Sequence, residues 1–257
     1  MDRRTQIESL ISDRMKKLAL MVTPGLIVVD VGCDHGFISA YLVLEEIAPK
    51  VIAADVAEGP LDSARKTISQ FGLSDKIETR LSDGFSAISK GESECALIAG
   101  MGGHLIMDII EAGLEKLPAG YELILSPQSD VPEVRRFLFE KGIDILDEDM
   151  LIEKGKYYNI MKCRVGECIS KSNATDLEDN DTDTLDGTSP EMFFMFGKRL
   201  LEKSSPVLKQ YLLNEIEKKQ KIYCRLSSQS GDNVIDRMHE IDSELKLMVK
   251  AYEMMEK

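Results

Sequence analysis

Leu26-Ile-Val-Val-Asp-Val-Gly-Cys-Asp-His-Gly-Phe37 is the stretch whose reading decides the fold. Its first half is a short apolar run of the length and composition of a strand buried on both faces. Its second half carries Gly32 and Gly36, which let the chain turn, and then opens a helical pattern over Gly36–Ile47. A buried strand, a glycine-bearing turn and a helix are the first step of a βαβ unit. The alternation continues outward from it. Candidate strands fall at Leu26–Val31, Val51–Asp55, Ile77–Leu81, Cys95–Ala99, Tyr121–Ser126, Gly142–Leu151 and Tyr157–Arg164. Helical patterns fill the gaps at Gly36–Ile47, Gly59–Phe71, a short Gly84–Lys90, Gly103–Leu114 and Val131–Lys141. The first, second, fourth and fifth strands are continuous apolar runs, and the last two read as an antiparallel pair across Lys154–Gly155. The prediction is an α/β fold with a Rossmann-like, seven-stranded, mostly parallel sheet.

Beyond this alternation the composition changes. Residues 167–191 hold eight acids against Lys171, whereas 198–225 hold eight bases against three acids. The Asn-, Asp-, Thr- and Ser-rich run from 166 to 190 lacks the apolar residues to fold alone and reads as a linker. After it, Met192–Leu201, Ser205–Leu226 and Asn233–Glu256 read as helices. The last two carry apolar residues at three- and four-residue steps: Leu208, Leu212, Ile216, Ile222, Leu226, then Ile235, Met238, Ile241, Leu245, Met248. They predict an antiparallel, coiled-coil-like α-helical hairpin. The expected organisation is a catalytic domain over 1–165, a linker over 166–190 and a helical appendage over 191–257.

The whole-chain numbers narrow the function classes. No apolar run reaches the roughly 18–20 residues a bilayer span needs, and no membrane partner is expected. Asp2, Arg3, Arg4 and Glu8 leave no uncharged secretory core at the start. Five cysteines include no C-x-x-C pair, which suits reduced thiols in the cytoplasm better than disulfides or zinc. His104 and His239 have no partner at ligand spacing, so no metal is expected. Net charge of −13 argues against nucleic acid, but more than half of that excess sits in the acidic run. Lys198, Arg199, Lys203, Lys209, Lys218, Lys219, Lys221 and Arg225, with Arg3, Arg4, Arg14, Lys16 and Lys17, are left as a basic set able to meet phosphates. The competing reading is a solvated helix face.

The turn after the first strand identifies a ligand. A dinucleotide-binding turn prefers G-x-G-x-x-G, with helix N–H groups facing a pyrophosphate. Here the pattern is D-x-G-x-D-x-G over Asp30, Gly32, Asp34 and Gly36. Two carboxylates repel a pyrophosphate and suit the ammonium and sulfonium groups of S-adenosyl-L-methionine (SAM). Asp55, 23 residues after Gly32 at the end of the second strand, is placed to accept from ribose hydroxyls, with Val56 beside it. Asp83 and Gly84, after the third strand, are placed to meet adenine. All lie at strand C-terminal ends, where open α/β sheets bind ligands. An N-terminal helix over Gln6–Val22 is predicted to pack on the sheet or cover this cofactor. Taken alone, Asp83 is equally well read as a helix N-cap.

The fourth strand ends in Ala99-Gly-Met-Gly-Gly103, whose glycines allow a base or the methionine moiety to lie against the backbone. Gly100 and Met101 are assigned to the cofactor and Gly102 and Gly103 to the substrate, against the alternative that the last two merely begin a helix. Tyr157, Tyr158 and Phe37 are candidate stacking surfaces for a flipped base, although strand tyrosines are more often core. His35 is a candidate substrate contact or a loop-ordering residue. Asp34 is the candidate catalytic carboxylate.

Val29-Asp-Val-Gly-Cys-Asp-His-Gly36 and Ile98-Ala-Gly-Met-Gly-Gly103 resemble the signatures of the bacterial tRNA (adenine(22)-N1)-methyltransferase family. The resemblance extends through Asp55 to Gly59-Pro60, Ser82-Asp-Gly84, Leu125-Ser-Pro-Gln128 and Gly155-Lys-Tyr-Tyr158, and resumes at Phe196-Gly197. It implies a SAM-dependent Rossmann-like domain, a C-terminal coiled-coil-like helical domain and tRNA as substrate; separately, a monomer or weak dimer is expected. The acidic stretch is longer than the family's usual link, and Cys33, Phe37 and Ile38 vary within the first motif. Rival readings are a methyltransferase acting on a protein or small molecule, a non-catalytic RNA-binding protein that keeps the fold, and an NAD-dependent oxidoreductase, which the turn's glycine pattern disfavours.

Overall fold

A computed structural model describes residues 2–166, 189–227 and 232–256. Residues 167–188, which hold nearly all of the expected linker, lie outside them. The chain divides into two compact units: Met1–Glu148 with Tyr158–Asn180, and Asp149–Tyr157 with Asp181–Lys257. The tip of the last hairpin thus groups with the C-terminal helices, apart from the sheet its strands belong to.

The first unit begins with two helices, α1 (Arg3–Leu10) and α2 (Asp13–Met21), where the sequence pattern predicts one. The break has a local cause. Ser12 takes an extended conformation and its side chain accepts from the Met15 N–H, while Asp2 does the same for Thr5. Each polar side chain satisfies a helix-start donor, and two starts need two helices. Both helices pack on α3 (Phe37–Leu44). Buried from Ile38 through Leu44, α3 is apolar on all sides because elements cover all of it.

The sheet strands are β1 (Val28–Val31), β2 (Val51–Asp55), β3 (Ile77–Leu81), β4 (Cys95–Ala99), β5 (Glu122–Ser126), β6 (Ile143–Glu153) and β7 (Lys156–Val165). Their order is β3-β2-β1-β4-β5-β7-β6. Pairings among β1 to β5 are parallel, and β5 pairs antiparallel with β7. β1, β2 and β5 are buried along their whole length, as expected for strands covered on both faces. Helices α4 (Glu58–Gln70), α5 (Gly103–Gly113) and α6 (Val131–Glu140) supply the crossovers. Val29, Val31, Ile98, Leu123 and Leu125 pack with Ile106, Ile110, Val134 and Leu138 in one core. Each fully buried aliphatic side chain there contributes about 1.5–3 kcal/mol.

The chain builds outward from β1 to β3 and then resumes at β4 on the other side of β1. The strand order therefore reverses between β1 and β4, which opens a crevice at their C-terminal ends. The helix expected at Gly84–Lys90 is absent. Gly84 takes the left-handed φ of 51°, and isolated turns follow, with Ser86 N–H donating to the Asp83 carbonyl and Ile88 N–H to that of Phe85. Lys154 and Gly155, both at positive φ, make the two-residue turn between β6 and β7.

The second unit carries α7 (Pro190–Phe196), α8 (Lys198–Glu202), α9 (Pro206–Leu226) and α10 (Asp232–Met254). A single helix over Met192–Leu201 is not what forms. Gly197, at φ 85°, separates α7 from α8. Met192, Phe196, Leu200, Leu201, Leu208, Leu212, Met248, Ala251 and Met255 form its core with Met150 of the hairpin tip. α9 and α10 pack on one another. Their apolar stripe is covered at one end only, because Ile222 and Ile235 are exposed.

Candidate cofactor and active site

Alternation along β1 sends Val29 and Val31 into the core described above and Asp30 to the opposite face. There the carboxylate is buried and accepts from the hydroxyl of Ser39 on α3, at 2.6 Å. Burial pushes the Asp30 carboxyl up to about 6, with Asp55 adding to the rise and the Ser39 bond opposing it. The turn that follows is spliced to β2: the N–H groups of Gly32 and Cys33 both donate to the Ala54 carbonyl, at 2.9 and 3.0 Å. Gly32 needs its φ of 77°, and Gly36, at φ 68°, stands as the N-cap of α3. A β-carbon on Gly36 would sit 3.0 Å from the Ala64 Cβ and 3.2 Å from its Cα.

Asp34 also lies in the left-handed region, at φ 47°, where a non-glycine residue is uncommon. Its side chain is 73% exposed, and His35 Nε2 lies 3.7 Å from its Oδ2. The His35 ring stacks on Phe37 with centroids 5.6 Å apart. The Asp34 N–H donates to Asp55 Oδ2 at 3.4 Å, and the Ala57 N–H to Oδ1 at 3.0 Å. Two backbone donors thereby orient Asp55, leaving further lone pairs. Next to it Val56 is 70% exposed, an apolar face left at the sheet edge. The Ser82 N–H donates to the Asp55 carbonyl at 2.8 Å and brings Asp83 and Gly84 to the same edge.

Across the crevice, Gly100 takes φ 83° at the end of β4. The Met101 side chain reaches over the first turn, its Cε 2.8 Å from where a Gly32 β-carbon would stand. The Gln128 N–H donates to the Met101 carbonyl at 3.0 Å. Gly102 is the N-cap of α5. Gly103 is required by packing, because a β-carbon there would lie 2.6 Å from the Ser129 carbonyl oxygen. The helix-start reading of these two glycines thus has a concrete geometric basis.

A cavity of about 360 Å³ opens between the two loops. Asp30, Gly32, Asp34 and Gly100 line it together with Arg14, Gln128 and an apolar wall of Met15, Leu18, Ile38 and Leu97. Asp55, Val56, Asp83 and Gly84 lie at the same sheet edge outside that lining. Cys33 also borders the cavity; burial pushes its thiol well above the usual range, which keeps it protonated and unreactive. Among the described residues no cluster of three or more His, Cys, Asp or Glu is placed to hold a metal.

Known proteins are similar to this chain in sequence and fold. The methyltransferase-domain family matches residues 11–161. The tRNA (adenine(22)-N(1))-methyltransferase of Bacillus subtilis (strain 168) is 32% identical over 220 residues, 86% of this chain and 87% of that protein. The chain belongs to the tRNA (adenine(22)-N1)-methyltransferase family. The crystal structure of the B. subtilis m1A22 tRNA methyltransferase TrmK superposes with a TM-score of 0.79 at 28% identity, covering 94% of this chain and 98% of that one. Sp1610 of Streptococcus pneumoniae, in complex with S-adenosyl-L-methionine, gives a TM-score of 0.76 at 29% identity, covering 94% and 99%.

The family's first two motifs thus face one another here across the reversal point. Its Gly155-Lys-Tyr-Tyr158 motif is divided. Tyr158 belongs to the first unit, where Arg14 Cζ lies 4.8 Å from its ring centroid. Tyr157 belongs to the second, where its hydroxyl accepts from Asn214 Nδ2 at 2.8 Å and its ring meets Tyr211 edge-on. Lys198, Arg199, Lys218, Lys219 and Lys221 are also in the second unit, and each pairs with an acid. Lys198 and Arg199 meet Glu202, Lys218 meets Glu215, Lys219 meets Glu244 and Lys221 meets Glu217.

The sequence pattern predicts that the N-terminal helix packs on the sheet or covers the cofactor, and what it does not show is the place of Arg14. Arg14 was grouped with bases for RNA, yet it lines the cavity with Met15 and Leu18. The signal was present: positions 14, 15 and 18 fall on one helical face. Gln128 was legible only as part of a family motif.

Proposed function

We propose that this family member transfers a methyl group from SAM to N1 of an adenine in tRNA, at position 22. The observation that carries the proposal is the pair of carboxylates, Asp30 and Asp34, on one cavity at the point where the strand order reverses. The residues fit the cofactor. A cavity near 360 Å³ is within the usual range for small-molecule sites, roughly 300–1,000 Å³. Two acids suit its ammonium and sulfonium groups. Asp55, with Val56 beside it, suits the ribose and adenine, Asp83 and Gly84 the adenine edge, and Gly32, Gly36, Gly100 and Met101 the close backbone approach. Bound there, the cofactor supplies an electrophilic methyl group.

Adenine N1 is uncharged and keeps a free lone pair, so the chain needs no base to remove a proton before attack. Its task is positioning, for which effective molarities of roughly 10⁵–10⁸ M are available. Asp34 holds its exposed carboxylate over the cavity mouth by a strained backbone, accepts a hydrogen bond from the adenine N6 amino group and stabilises the charge that develops on the ring. His35, stacked on Phe37, Gly102, Gly103 and Tyr158 form the substrate side of the first unit, and Tyr157 is a separate substrate contact on the second. Residues 1–165 serve as the catalytic domain and 191–257 as the RNA-binding appendage, with Lys198, Arg199, Lys218, Lys219 and Lys221 meeting phosphates. The enzyme acts as a monomer or weak dimer in the cytoplasm, a setting that suits the unpaired cysteines among the described residues, Cys33, Cys95, Cys163 and Cys224.

The deciding experiment incubates the full chain with labelled SAM and unmodified tRNA, then maps the product by primer extension. Arrest at position 22 is expected, because N1 methylation blocks pairing. Label in protein or small molecules instead of tRNA, or arrest elsewhere, would overturn the substrate.

A further inference from the structure

Thr23, two residues past the end of α2, is held by a buried carboxylate that the cofactor reading does not use. Glu122, the first residue of β5, is 2% exposed and gives both its oxygens to that one residue. The Thr23 N–H donates to Oε1 at 2.7 Å and the Thr23 hydroxyl to Oε2 at 2.6 Å. Lys162 of β7 closes the cluster, its Nζ lying 3.1 Å from Oε2 and donating to the Thr23 hydroxyl at 2.7 Å. Leu123 and Leu125 pack in the core with α5 and α6, so alternation turns Glu122 to the opposite face, where α2 packs on β5.

A buried charge costs stability unless it is paired and hydrogen-bonded, and the sheet does not need this one. β5 and β7 are already in register through their backbones, with Ile124 opposite Lys162. What lacks a ladder is the segment leaving α2, and both Glu122 oxygens are directed to it. The crevice lies at the other end of the strands, roughly 13 Å along β5 at about 3.3 Å per residue. A ligand held there is out of reach of the cluster, but α2 connects the two places: Met15 and Leu18 wall the cavity, while the foot of the helix runs into Thr23. We infer that Glu122 is a positioning residue: by clasping Thr23 it fixes where α2 stands and so sets the width of the cavity that takes the cofactor. The inference rests on the SAM reading above and gives Glu122 no contact with SAM.

Thr23→Val tests the clasp without leaving a buried charge unpaired, because it keeps the shape of the side chain and leaves Lys162 beside Glu122. Thr23→Ser keeps the hydroxyl. Calorimetry on the full chain should show SAM bound about 10-fold more weakly by Thr23→Val, the scale of one hydrogen bond to a charged group, and Thr23→Ser should bind it as wild type does. KM for SAM should rise in step while kcat at saturating SAM stays at the wild-type level. In the ligand-free proteins, amide hydrogen exchange over Asp13–Met21 should quicken in Thr23→Val while β1 and β4 keep their protection. Unchanged SAM affinity in Thr23→Val overturns the inference. So does a loss that Thr23→Ser shares, or one accompanied by equally faster exchange throughout the sheet, which marks the cluster as a general prop of the fold. Wild type that binds no SAM removes the SAM reading instead, and the exchange comparison still decides whether the clasp holds α2.

Discussion

The carboxylates of the crevice and the lysines of α9 are both clusters of charge, but the fold treats them differently. Asp30 is taken out of water, hydrogen-bonded to Ser39 and pushed up to about 6 by that burial. Asp34 is held at a left-handed φ and Asp55 is oriented by two backbone donors. Lys218 and Lys221 stand about two-thirds exposed and meet acids on their own helix, Glu215 and Glu217. Charge that the backbone positions specifies a ligand; charge matched along a solvated helix supports solubility and weak, salt-sensitive contacts.

The sharpest way to break this contrast is Asp34→Asn. Turnover at saturating SAM should fall by about 10²–10³-fold, the scale of removing one preorganised electrostatic partner from a transition state. Calorimetric affinity for SAM should change far less. Unchanged turnover with weakened SAM binding would leave Asp34 a cofactor ligand only.

Asp30 offers a pH test of the same contrast. A carboxyl raised from its ordinary 3.8 to about 6 by burial favours the folded state below the lower value and loses that advantage as pH rises through the upper one. In Asp30→Asn the ligand-free protein should therefore gain stability over wild type between pH 4 and 6 and hold the gain above. The ceiling is on the order of 3 kcal/mol, read from thermal melts. Wild-type SAM affinity should fall as pH drops below about 6, where binding has to expel the Asp30 proton, and the variant should lose that dependence. Parallel melting curves for the two proteins across this range would place Asp30 outside the buried electrostatics described here.

Among the bases the expected effects are smallest. Replacing Lys218, Lys219 and Lys221 by Ala should leave the melting temperature and SAM affinity unchanged. It should flatten the slope of log tRNA affinity against log salt by up to about three phosphate contacts. An unchanged slope would reduce these lysines to a solvated face and erase any functional parallel with the crevice.

The sequence made the first unit legible because buried parallel strands have a distinctive composition and a fixed relation to their turns. The positions of Asp30, Gly32, Asp34 and Asp55 follow from the sequence because strand ends fix where they emerge. Departures arose where a local bond overrides periodicity. Ser12 starts a second helix inside one apolar pattern, and Gly84 and Gly197 turn left-handed within stretches that read as helical. Arg14 was misplaced for a different reason. A basic residue on an N-terminal helix carries no mark of its partner until α2 is packed on the sheet and Tyr158 is beneath it.

The approach of α3 to α4 has a last consequence. With Gly36 against the Ala64 backbone and Asp34 hydrogen-bonded to Asp55, the first turn is fastened to β2 and α4 on its own side of the crevice. A turn held this way presents the Asp34 carboxylate at a fixed place, so a ligand that meets it does not have to order that segment on binding.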